Sequence, residues 1–387
     1  SALPNLSQVS TMLDSTSATD NENLIAGMLD GIMSSMVPSS PQKEGSLAMQ
    51  LKMDQVLFLG GKLVNGIRAV DRYRSVQKLS YSVKEQEVVL STTQMFYQTL
   101  LAGKLAEIQS EGLSTAQRHL SRVELFYREG QVSEFDLLQA RLEVAKLEPQ
   151  VLAANNQYEL ALAAFRKQIG ATDESIVPEG EFVLPLVEEM DLAEAQRLGM
   201  QNRTELELLD IATQIQEIKY NAERGNYLPN VALSASAALY TAADEYAIQK
   251  DDFGTRYSVG IGFSLPIFTG LSNSNKIAYA KHDFTQAKLK QRDSEELIML
   301  QIRQNHQKLH HALENYRVQE QNIQMAQRSL ELAQLRYENQ LGIQLEVFDA
   351  QITLSSIKLQ YNNAIYEVIA AEREFTKSIG QNLIVER

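Results

Sequence analysis

Displaced against itself by 210 positions, the sequence aligns residues 49–170 with 259–380 without a gap, and 25 of those 122 positions are identical. Ala116-Gln117-Arg118 with Leu120 recurs as Ala326-Gln327-Arg328 with Leu330. Phe165, Lys167, Ile169 and Gly170 recur as Phe375, Lys377, Ile379 and Gly380, and Phe58 and Gly60 as Phe268 and Gly270. A gapless match of this length marks a tandem duplication, so what one half builds the other must repeat. Leu3-Pro4-Asn5 echoes Leu228-Pro229-Asn230 at an offset of 225, which leaves about fifteen extra residues in the loop that follows in the first copy, roughly Thr11 to Ser46. The helical stretch from about Leu192 to Gly225 has no counterpart before Leu3. The repeat therefore predicts a matching helix, with any leader, upstream of this sequence.

Each unit reads as strand, loop, strand, very long helix, short break and second helix. Only 8 prolines and 19 glycines punctuate 387 residues, and Lys62 to Arg128 and Ser272 to Glu338 each run about 67 residues without a proline. At 1.5 Å per residue such helices are on the order of 100 Å long. Leu90, Phe96, Tyr97, Leu100 and Leu101, and again Ile302, Leu309, Leu313, Tyr316 and Ile323, form narrow apolar stripes amid Gln, Glu, Lys and Arg. That pattern predicts helices seamed to neighbours and wet on the other side.

In the best strand, Tyr257, Val259, Ile261, Phe263, Leu265 and Ile267 alternate with Ser258, Gly260, Gly262, Ser264 and Pro266. Its partner alternates Val231, Leu233, Ala235, Ala237 and Leu239 with Ala232, Ser234, Ser236 and Ala238, and Met49, Leu51 and Met53 mark a third strand. A fourth, around Leu6 to Met12, alternates poorly. One greasy and one small or polar face over about ten residues suits a lipid-facing barrel strand, and equally the half-buried strand of a soluble sandwich. Four strands cannot close a barrel, so a membrane reading requires several copies, and three would give twelve strands.

Composition removes other classes. A net charge of −13 without clustered Lys or Arg argues against a nucleic-acid partner. No cysteine is present, which removes disulfides and thiolate chemistry. No run approaches the eighteen or so apolar residues of a spanning helix. There is no phosphate-binding glycine loop, no G-x-S-x-G and no zinc motif, so the residues call for no catalytic site and no cofactor. His306 and His310 have the i, i+4 spacing of a helical metal pair, but two residues do not define a metal centre and no metal site is assigned. Glu346 and Asp349 fall three apart in the first turns of a predicted helix, where negative charge also suits the helix dipole.

The order of these features resembles the TolC-like outer-membrane efflux family. The resemblance is carried by Tyr127, Gly130 and Asp136-Leu-Leu-Gln-Ala140, and by Tyr337 with Glu346-Val-Phe-Asp349-Ala350. Beside them stand Asn202-Arg203-Thr204-Glu205-Leu206, Leu228-Pro229-Asn230, Leu265-Pro266-Ile267-Phe268 with Gly270, and the Ile-Gly pairs closing each repeat at 170 and 380. It spans essentially the whole chain.

The resemblance implies a mainly helical fold with a transmembrane portion: a homotrimer whose twelve-stranded β-barrel sits in outer-membrane lipid above a periplasmic α-helical barrel. It implies a channel, not an enzyme, that passes substrates from a periplasmic adaptor and an inner-membrane pump. The chain then divides into a first barrel hairpin with its surface loop (1–60), a helical hairpin (61–170), an equatorial segment (171–190), a helix (191–227), a second barrel hairpin (228–270), a second helical hairpin (271–380) and a tail (381–387). Glu346 and Asp349 match carboxylates that ring the closed periplasmic aperture, and Asp136 is expected to accept a hydrogen bond from Tyr337. Six carboxylates around a threefold axis would raise one another's pKa values and favour cations. Two departures stand out: Gln340 replaces the glycine found at Gly130, and Gly342 stands where the best-known member has an arginine of its closing network. A gate of hydrogen bonds and charge repulsion, without a salt-bridge lock, is the expectation. The competing reading is a periplasmic coiled-coil adaptor or scaffold, which would share the helices but not the amphipathic strands.

Overall fold

A computed structural model describes residues 45–180, 182, 184–187, 190–243, 253–339 and 341–383. The expected strand at Leu6 to Met12 and nearly all of the loop that follows it lie outside these residues. The elements are β1 (Gly45–Leu59), α1 (Lys62–Arg128), α2 (Glu134–Gln168), α3 (Leu192–Asn202), α4 (Thr204–Arg224), a 3-10 turn (Gly225–Tyr227), β2 (Asn230–Ala243), β3 (Phe253–Ser264), α5 (Ser272–Glu338) and α6 (Gln344–Ser378). Every boundary of α1 and α2 recurs 210 residues later in α5 and α6. The duplication is thus structural as well as sequential. The proline-free runs are the long helices, and glycines end the helices that follow them: Gly170 and Gly380 have φ of 69° and 74°. Each closes its helix with paired backbone bonds, Ala171 N–H to the Arg166 carbonyl at 2.9 Å and Gln381 N–H to the Thr376 carbonyl at 3.2 Å.

Contacts divide the chain into two units, one holding the residues up to Arg74 with Ala212–Lys288, the other Ser75–Ile211 with Leu289 onward. In the first unit, β1, β2 and β3 form an antiparallel sheet in that order. Register puts Met49, Leu51 and Met53 opposite Leu239, Ala237 and Ala235, which in turn face Thr255, Tyr257 and Val259. Directly opposed residues share a face, so the apolar residues of all three strands gather on one side. Tyr257, Val259, Ile261 and Phe263 are 75%, 76%, 71% and 68% exposed there, far more than the buried face of a sandwich allows. Gln50, Lys52, Asp54, Ser234, Ser236 and Ser258 occupy the other side, where the Ser236 and Ser258 hydroxyls meet at 2.8 Å.

The strand ends differ from expectation. β3 begins at Phe253 and stops at Ser264, so Leu265 and Ile267 are exposed beyond the ladder instead of within it. Pro266 has no N–H to donate and the ladder cannot continue through it. In β1 the register shifts between Val56 and Phe58, leaving Leu57 as the extra residue of a bulge. Below the sheet, Gly60 (φ 57°) and Gly225 meet backbone to backbone: a Cβ on Gly60 would lie 2.2 Å from the Gly225 carbonyl oxygen. Tyr220 of α4 stacks on Phe284 of α5, with ring centroids 6.4 Å apart.

In the second unit, α3 packs on α5 and α6 through Ala195, Ile298, Ile302, Leu309, Val368, Ala371, Phe375 and Ile379. The single helix expected over 191–227 is two, because Arg203 takes an extended ψ of 119°. Gly380 explains the break: its backbone sits so close that a Cβ there would lie 2.6 Å from Asn202 C and 2.8 Å from Arg203 N. The Arg203 guanidinium bonds both oxygens of Glu205, at 3.3 and 3.2 Å, and reaches Gln301 of α5 at 3.1 Å. Burial opposes the Glu205 charge, but Arg203 outweighs it and holds the carboxyl below its ordinary range. His306 Nε2–H donates to the Met190 carbonyl at 2.8 Å, and its ring lies edge-on to Phe375, so it serves the packing of this core.

Candidate functional site

The candidate residues lie at the two turns that join α1 to α2 and α5 to α6, both in the second unit. In the first turn Gly130 (φ 73°) ends α1, with Gln131 N–H bonding the Phe126 carbonyl at 2.8 Å. Ser133 then caps α2. Its hydroxyl accepts from Asp136 N–H at 3.2 Å, while Asp136 Oδ2 accepts from Ser133 N–H at 3.0 Å and from its hydroxyl at 2.6 Å. This is a reciprocal capping box. It commits the Asp136 carboxylate locally, and the expected bond from Tyr337 to Asp136 is not made within the chain. The Tyr337 hydroxyl is instead buried with no hydrogen-bond partner among the described residues. Burial, and then the Asp136 charge, push its pKa up, while Arg122 opposes them.

The second turn has diverged. Ile343 stands where Ser133 stands in the first, makes no side-chain cap, and leaves Glu346 free to engage elsewhere. Glu346 lies 3.6 Å from the Arg336 guanidinium, which also donates to the Leu341 carbonyl at 3.3 Å. A Cβ on Gly342 would sit 2.8 Å from Glu346 Oε2 and 3.1 Å from Arg336 Cβ, so this glycine makes room for the pair. An ion pair within the turn is therefore present where hydrogen bonds and charge repulsion without a salt bridge were expected, with Arg336 as its cation. Asp349, one turn on, is exposed and forms no ion pair among the described residues.

A second set of contacts ties the repeats together. Arg122 of α1 meets Glu338 at the end of α5 at 2.6 Å, Lys358 of α6 meets Glu111 at 2.6 Å, and Gln351 donates to the Gly112 carbonyl at 3.0 Å. Phe348 of α6 enters an apolar cluster with Val123, Leu137 and Ala140. His119 stands beside it, 4.9 Å from the Phe348 ring and 5.5 Å from the Tyr337 ring. Burial first and Arg122 second press the His119 pKa down to about 4. Sequence reasoning singled out Asp136, Tyr337, Glu346 and Asp349 as candidates, and it did not single out Arg122, His119, Arg336 and Glu338, which the structure places beside them. The Ser133-x-x-Asp136 spacing of a capping box was the one local signal available; partners such as Arg122 and Glu338 share no sequence neighbourhood.

A family model described as outer membrane efflux protein matches residues 8–171 and 189–381, nearly the entire chain. The chain belongs to the outer membrane efflux protein family. It is 20% identical over 339 residues to the outer membrane protein TolC of Salmonella enteritidis, covering 85% of this chain and 68% of TolC. It is 20% identical over 341 residues to the outer membrane efflux protein BepC of Brucella suis, covering 87% of this chain and 72% of BepC. Among solved structures, CusC superposes with a TM-score of 0.76 at 16% identity, over 90% of this chain and 80% of CusC. The Campylobacter jejuni CmeC outer membrane channel does so with a TM-score of 0.75 at 17% identity, over 92% of this chain and 80% of CmeC. As an outer membrane efflux protein the chain acts in transport at the outer membrane, in a family of channels and not of enzymes. That sets aside the adaptor alternative.

Proposed function

We propose that the chain is one protomer of a homotrimeric exit duct that takes substrates from a periplasmic adaptor and an inner-membrane pump and performs no chemistry on them. The observation that carries this reading is the sheet: most of its large apolar side chains share one strongly exposed face, and its three charged side chains share the other. Lipid outside and water inside a barrel is the arrangement that satisfies both faces. Three copies of four strands would make twelve, with residues 1–60 and 228–270 supplying the barrel and 61–170 and 271–380 the periplasmic helices. Residues 171–190 and the chain's end would belt those helices, with 191–227 beside them.

Asp136, Tyr337, Glu346 and Asp349 are proposed as the periplasmic aperture. Asp349, exposed and unpaired, is the carboxylate free to face its symmetry mates and concentrate cations. The Arg122–Glu338 pair, together with the Phe348 seam, holds the second hairpin against the first, the Arg336–Glu346 pair braces the turn within the second, and opening requires parting the hairpins. Single-particle imaging of the detergent-solubilised protein tests the duct: a threefold cylinder is expected, and a monomer soluble without detergent would overturn it. In planar bilayers, Arg122→Ala with Arg336→Ala is expected to raise conductance; unchanged conductance would overturn the aperture assignment.

A further inference from the structure

The three described strands hold only three charged residues, Lys52, Asp54 and Arg256, and register places all three on the polar face. Lys52 and Asp54 lie 3.5 Å apart and neutralise each other. Arg256 has no acidic partner among the described residues. It is held all the same, because its guanidinium lies over the Tyr240 ring, 5.3 Å from the centroid. The ring is fixed in turn by the strand opposite: Gly254 faces Tyr240 in the ladder, and a Cβ there would come within 2.8 Å of Tyr240 Cζ. Glycine thus leaves the space into which the ring lies flat, and the ring carries the cation.

We infer that Arg256, seated on Tyr240, is a selectivity determinant of the barrel wall that draws anionic groups, carboxylate, sulfate or phosphate, to this part of the duct, opposing the cation preference of the aperture carboxylates. The inference rests on the barrel reading, which turns this face toward the lumen. Among the described residues, each protomer then contributes one uncompensated positive charge to the barrel wall, although the whole chain carries −13. Stacking on an aromatic face leaves the guanidinium edge, with its N–H donors, directed away from the ring and available to an oxyanion. Rings of Arg or Lys are the means by which wide pores admit anions. Nearer the other end of β3, Gly260, Gly262 and the serines beside them carry no charge and Asp54 is neutralised by Lys52, so among the described residues Arg256 alone gives this part of the wall a net sign.

The test is the reversal potential of purified protein in planar bilayers under a potassium chloride gradient, for wild type, Arg256→Gln, Arg256→Lys and Arg256→Glu. Three charges acting across a water-filled lumen at low salt should lower the chloride-to-potassium permeability ratio roughly threefold in Arg256→Gln, and further in Arg256→Glu. Arg256→Lys should stay near wild type. All differences should fade near 1 M salt, where screening shortens to about 3 Å. Pores that form normally with the same ratio in wild type, Arg256→Gln and Arg256→Glu would overturn this inference and leave the duct standing. Failure of wild type to conduct at all would overturn the barrel reading and this inference with it.

Discussion

Lowering the pH should loosen the seam between the two helical hairpins, and His119 sets the size of the effect. The ring is 8% exposed, wedged between Tyr337 and Phe348, with its Nε2 unpartnered and Arg122 as the nearest charge acting on it. Its pKa is about 4 in the closed seam, against an ordinary 6.5. A depressed histidine pKa means that the open seam binds the proton more tightly, so stability is complete above pH 6.5 and declines as pH falls from there toward 4. Integrated between pH 7.5 and 5, the penalty is about 2 kcal/mol, or roughly thirtyfold in the opening equilibrium. Hydrogen exchange of amides in 116–127 and 337–350, corrected for the intrinsic rate at each pH, measures that equilibrium directly. His119→Phe keeps the ring packing and removes the proton, and it should lose most of the pH dependence. It should also open less often at neutral pH, since a buried unpaired ring nitrogen costs about 1–3 kcal/mol. If wild type and His119→Phe lose protection in parallel between pH 7.5 and 5, carboxylates govern the seam and the reasoning fails.

Other perturbations separate the remaining contacts. Gly380→Ala should cost several times the about 1–2 kcal/mol expected of Gly130→Ala, because both glycines have positive φ but only Gly380 is pressed against Asn202 and Arg203; thermal denaturation in detergent compares them. Arg203→Ala strands the buried Glu205 carboxylate and should cost about 3–5 kcal/mol, with the double variant Arg203→Ala/Glu205→Ala recovering much of the loss. Ser133→Ala should lose about 1 kcal/mol of local stability at the start of α2, whereas Ile343→Ser at the uncapped start of α6 should gain about as much, both read from amide protection.

Much of the fold was legible because its rules are local. Proline-free runs bounded α1 and α5, period-two alternation marked β2 and β3, and the offset of 210 tied each helix end in one repeat to its twin in the other. Local rules misjudged the places where another part of the chain intervenes. The stretch from Leu192 reads as one helix, and it breaks at Arg203 because Gly380 packs against it. Leu271, with φ of 68°, holds the conformation that Gly61 holds in the first repeat, and nothing in the sequence near it announces that strain.

The sequence by itself determined the duplicated helix and strand plan and which residues each strand sends to either face, since backbone geometry and side-chain period are properties of neighbours along the chain. Only the tertiary structure decided how the two copies differ in use. Asp136 is consumed by its own serine cap, its twin Glu346 is turned toward Arg336, and Arg122 crosses to Glu338. Equivalent positions in the two repeats met different neighbours after folding, and electrostatic partnership depends on distance through space, which the order of residues does not encode.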